Sequence, residues 1–139
     1  MNPTERRTLV RWLMVIPAAV AGWWATFLVG LGLLALGDSQ CAPDQRISDA
    51  CVASWFESYE RVVFITCAAI AAALVVLLPA LTAPSHRRRV AWAAFIWGGG
   101  TAVWLGVKSG AHLELLAALV AGLAAALIVH RYRIRITVR

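Results

Sequence analysis

The sequence predicts an all-α integral membrane protein: a single polytopic domain over residues 1–139, built as a bundle of four transmembrane helices, with both termini cytoplasmic and a short outward loop closed by a disulfide. Three observations predict it. Of 139 residues, 61% are hydrophobic and 14% charged, against roughly 45–50% apolar and about 25% charged in a soluble domain. The apolar residues gather into four long uncharged runs, each near the ~20 residues that a membrane-crossing helix needs. The arginines flank these runs almost wholly on one side, as expected of loops retained in the cytoplasm.

The first span covers residues 12–36 and follows Arg6, Arg7 and Arg11. Arg6-Arg7-Thr8-Leu9 and Ala35-Leu36-Gly37 loosely resemble a twin-arginine start and a small-residue cleavage site. A signal core is only about 7–15 apolar residues, so this longer run reads as an uncleaved anchor. Pro17 removes a backbone donor and predicts a kink.

An outward loop follows at 37–61, holding Cys41 and Cys51 around a polar, turn-rich Ala-Pro-Asp-Gln-Arg-Ile-Ser-Asp-Ala segment. Outside the cell such a pair oxidises, and the bridge reads as structural. A four-span chain with outward cysteines resembles the quinone-reducing thiol oxidases in outline, but it has no Cys-x-x-Cys and no second outward pair.

The second span, 62–83, contains Cys67, read as a small buried hydrophobe, and Pro79 near its end. A basic turn at Pro84-Ser85-His86-Arg87-Arg88-Arg89 leads to the third span, 90–107, interrupted in composition by Gly98-Gly99-Gly100. Three glycines cost about 1 kcal/mol each in helix propensity, so this segment is either a close packing site or an unwound break. A tight turn at Lys108-Ser109-Gly110-Ala111-His112 introduces the fourth span, 113–129, and a tail at 130–139.

Ten of the thirteen basic residues then share one side with Glu5, whereas Arg46, Arg61 and Lys108 share the other with Asp38, Asp44, Asp49, Glu57, Glu60 and Glu114. The net charge of +6 therefore reads as topology and affinity for anionic head groups, not as nucleic-acid binding. Small residues recur at i, i+4 spacing (Ala18 and Gly22; Ala69 and Ala73; Gly106 and Gly110; Ala118, Gly122 and Ala126), as helix association in lipid requires. Of seven tryptophans, Trp12, Trp55, Trp92 and Trp104 fall at span ends as interface anchors. Trp23, Trp24 and Trp97 lie deeper and need either partners for their indole N–H or a site to line.

The candidate functional residues fall in two groups. Glu57, Glu60, Arg61, Lys108, His112 and Glu114 form a candidate outer polar rim, with Glu57 and Arg61 spaced to pair on one helix face. His112 and Glu114 point to nearly opposite sides of a helix and do not share one site easily. Glu114 is the only one within an apolar run, close enough to its end to reach the interface, so no span holds a deep carboxylate. In the tail, Arg131, Arg133 and Arg135 alternate with Tyr132, Ile134, Ile136 and Val138, which suits a cationic lipid anchor or strand addition to a partner.

No protease, hydrolase or nucleotide-binding motif appears, and His86 and His130 stand among arginines without acids. No cofactor is expected. The leading expectation is a non-enzymatic bacterial inner-membrane protein, an accessory, assembly or protective subunit of another membrane component. An oligomeric transporter or channel for a lipid or small solute is second, and a thiol redox enzyme third.

Overall fold

The computed structural model describes residues 3–48 and 50–131. It contains five helices, α1 (Pro3–Leu13), α2 (Val15–Ser39), α3 (Ser54–Thr82), α4 (Arg87–Ser109) and α5 (His112–Arg131). Four helical segments, Thr4–Ser39, Ser54–Thr82, Arg87–Ser109 and His112–Arg131, are long and apolar enough to cross a membrane. The chain is thus a multi-pass helical membrane protein. Its helices share a disulfide end, where α2 meets α3 and α4 meets α5, and an arginine-rich end.

The first span is two helices because of Pro17. Its ring lacks an N–H and crowds the carbonyl four residues earlier, that of Leu13. α1 ends there, and Met14 forms the joint, bonded to Val10 O and accepting from Ala18 N, each at 3.0 Å. α1 carries Arg6, Arg7 and Arg11, all exposed. Pro79, by contrast, lies in the last turns of α3, and the helix runs past it to Thr82, whose hydroxyl donates to Leu78 O and Pro79 O.

α3 is the hub. It packs against α2, α4 and α5, and α4 also packs against α5, whereas α2 scarcely touches α4 or α5. Within the helical bundle, α3, α4 and α5 pack on one another and α2 joins them through α3. The core of the group is Val76, Ala80, Ala91, Ala125 and Ala126, with Phe95 and Leu77 packed around it. It is mostly alanine, since helices in lipid associate by letting backbones approach.

The seam between α2 and α3 is made the same way. A Cβ at Gly22 would come within 2.8 Å of Leu78, one at Gly30 within 3.2 Å of Cys67 Sγ, and one at Gly37 would overlap the Tyr59 ring. The Tyr59 hydroxyl donates to Leu33 O at 2.7 Å, fixing that ring in place. Gly98 and Gly99 do not break α4, which is continuous; their Cβ positions lie 3.7 Å from Val75 and 3.5 Å from Leu119. Both are ordinary van der Waals distances, and α4 runs as helix through all three glycines.

At the disulfide end, the loop folds into a 3-10 turn, Pro43–Gln45, and a two-residue antiparallel pairing of Arg46–Ile47 with Ala50–Cys51, strands that periodicity had not signalled. Arg46 donates to both the carbonyl and the carboxylate of Asp38 at 2.6 and 2.9 Å, tying the hairpin to the end of α2. Gly110, at φ 72°, turns α4 into α5, and His86, at φ 55°, turns α3 into α4.

Because Gly22 and Gly37 are contact points and Gly32 has nothing within 4 Å of its Cβ position, alanine should act with opposite sign at these sites. Gly37→Ala should destabilise the purified protein by about 1–3 kcal/mol through overpacking against Tyr59. Gly22→Ala should destabilise it less, since a leucine methyl can yield. Gly32→Ala should be neutral or stabilising by up to about 1 kcal/mol through helix propensity. Thermal unfolding in detergent checks all three.

Candidate functional site

The separation of α2 from α4 and α5 leaves a cleft floored by α3. Two hollows make it up, about 580 Å³ and 440 Å³, within the ~300–1,000 Å³ of ligand sites. They share Trp23, Ala68 and Ala71 and so adjoin. The floor is small: Ala68, Ala71 and Ala72 of α3 face the opening, and Gly98 and Gly99 of α4 let the backbone form part of the wall. The walls are aromatic.

Trp23, Trp24 and Trp97, the three deep tryptophans, all line the larger hollow. Trp23 stacks on Phe27 at 5.7 Å between centroids and meets Trp24 edge-on at 5.2 Å. Trp97 is 80% exposed. Among the described residues no hydrogen bond reaches the indole N–H of any of the three; they line a site instead of finding partners inside the bundle. The convergence depends on helix placement and had no sequence signal beyond the depth of the three indoles.

The smaller hollow adjoins toward the disulfide end. Thr26, 5% exposed, turns its hydroxyl back to Gly22 O at 2.9 Å and presents no free donor to it. Cys67 lines this hollow too, about 20 Å along α3 from its start, away from the Cys41–Cys51 bridge.

The remaining lining residue of note is Glu114. Its depth follows from register. α3 and α5 run parallel, with Gly122 beside Ala72 at 3.8 Å, and eight residues back on each helix Glu114 is level with Phe64. His112 is then level with Val62, so Ser54 to Arg61 of α3 rise about 12 Å beyond the start of α5. The α4–α5 turn is set lower than the start of α3, and Glu114, in the first turn of α5, borders the cleft.

The outer polar rim is accordingly divided. Glu57 and Arg61 form an exposed ion pair at 3.1 Å on the upper part of α3. Glu57 and Glu60 border a separate hollow under the disulfide loop, with Asp38 and Cys51. Lys108 lies over the Trp104 ring at 4.4 Å from its centroid, and His112 is exposed. Among the described residues no three His, Cys, Asp or Glu side chains are grouped to hold a metal ion.

Cys41 and Cys51 are bonded, with Cα atoms 5.8 Å apart. Arg131 ends α5 and is exposed, while the proposed contact residues Tyr132, Arg133, Ile134, Arg135 and Ile136 lie outside the described residues. The chain matches no known family model, no curated protein and no solved structure.

The bridge closes a loop that has little core of its own. Replacing Cys41 and Cys51 with Ser should lower stability by about 2–4 kcal/mol, measured by thermal unfolding, while ligand binding in the cleft per folded molecule stays unchanged.

Proposed function

We propose that this chain is a non-enzymatic membrane protein that holds a lipophilic molecule in the cleft between α2 and the α4–α5 pair, and carries or presents it within the membrane. One observation carries the reading: three mid-helix tryptophans from two helices line a single alanine-floored hollow of ligand size. A cleft with few polar groups suits an aromatic or aliphatic body that partitions into lipid.

The charge bias supports a bacterial inner-membrane orientation with the arginine-rich end cytoplasmic and in contact with anionic head groups. A second reading, an accessory or assembly subunit of a larger membrane complex, draws on the outer face of α4. There Trp104 is exposed one turn beyond Gly100, whose Cβ position is open, so that a partner helix or a second copy can approach closely.

Two measurements test these readings. Ala71 lines both hollows, so Ala71→Phe should fill the cleft and abolish retention of co-purifying lipophilic molecules in native mass spectrometry, with the fold kept. Retention equal to that of the unaltered protein would remove the ligand reading. A reporter fused after Arg139 should be active only as a cytoplasmic reporter; activity of an extracytoplasmic reporter would reverse the orientation.

A further inference from the structure

We propose that the occupant of the cleft is a lipophilic organic cation, its positive charge set against Glu114 and its apolar body against the aromatic wall. The proposal rests on the reading of the cleft as a ligand site and names the class of ligand.

Among the described residues Glu114 is the one charged side chain lining either hollow. Among the described residues it has no side-chain hydrogen bond and no ion pair: Arg61 is taken by Glu57, Arg46 by Asp38, and Lys108 covers Trp104. Glu114 is partly buried in the first turn of α5 and borders the apolar cleft. Attraction between opposite charges is stronger there than in water, so a positive charge beside it is favoured and an anion is repelled.

The surroundings say what kind of cation. Trp23 and Phe27 border the same hollow as Glu114 and offer aromatic faces to a positive charge. Most of the rest of the lining is apolar, with Leu31 and Leu34 of α2 and Val63, Phe64, Ala68 and Ala71 of α3. A hydrated metal ion would have to exchange its water shell for a single carboxylate, since no further acidic or histidine ligand is grouped there among the described residues. A quaternary ammonium, a phosphonium or a protonated amine on a bulky hydrophobic body keeps its apolar contacts and needs one counter-charge only.

The test uses a matched pair of probes, tetraphenylphosphonium and tetraphenylborate, which have nearly the same size and opposite charge. Binding to the full chain in detergent is followed by quenching of tryptophan fluorescence and by calorimetry. The unaltered protein should bind the phosphonium at least tenfold more tightly than the borate, although its net charge of +6 favours the anion. Glu114→Gln should remove that preference with unchanged unfolding temperature, whereas Glu57→Gln, on the exposed ion pair, should retain it.

If Ala71→Phe blocks both probes but the unaltered protein does not prefer the cation, or Glu114→Gln keeps the preference, the cation assignment is wrong and the cleft remains a ligand site. If Ala71→Phe leaves phosphonium binding unchanged, the cleft itself is not the site and both readings fall. Should Glu114→Gln not fold, the charge preference of the unaltered protein, combined with its loss in Ala71→Phe, decides the matter.

Discussion

A helix in hydrocarbon gains almost nothing by exchanging lipid contacts for leucine contacts, so helices here can associate only where their backbones come close. This constraint organises the molecule. Along α3, each partner is met through alanine or glycine: Ala125 and Ala126 of α5 and Ala91 of α4 in the core, and Gly22, Gly30 and Gly37 of α2 along the outer seam. The large apolar side chains, Leu28, Ile16 and Val120 among them, are left facing outward, where lipid receives them at no cost. The cleft is a by-product of the same rule. α2 has glycines placed for α3 but none that brings it onto α4, and Trp23 and Trp24 hold the space between them open.

Unequal helix lengths do the rest. α3 has 29 residues and α5 only 20, and their parallel register sets the α4–α5 turn well short of the disulfide end. A carboxylate in the first turn of α5 therefore sits about three turns into the neighbouring helix. The same residue on a longer fourth helix would be an ordinary surface glutamate.

The spans and the disulfide were legible because each rests on local chemistry: apolar run length, arginine flanks, two cysteines around a turn-rich segment. Boundaries shifted where polarity hid helix. Ser54 to Arg61 reads as loop by hydropathy, yet it is helical, supported by the Glu57–Arg61 pair and the anchored Tyr59. Gly98 to Gly100 was ambiguous because low helix propensity argues for a break and the flanking apolar run argues for a span, and the structure carries α4 through all three. The cleft was illegible for a different reason. Which tryptophans converge, and how deep Glu114 lies, depend on the relative placement of whole helices, a quantity that no single run of residues encodes.

The one-sided attachment of α2 has a mechanical consequence. A wall joined to the rest of the molecule along one edge behaves as a cantilever, and its joint with α1 at Met14 interrupts the helix just where Pro17 removes a backbone bond. The attached edge is fixed to α3 by the seam of Gly22, Gly30 and Gly37 and by the Tyr59 hydroxyl, so a change at that seam moves a whole wall of the cleft.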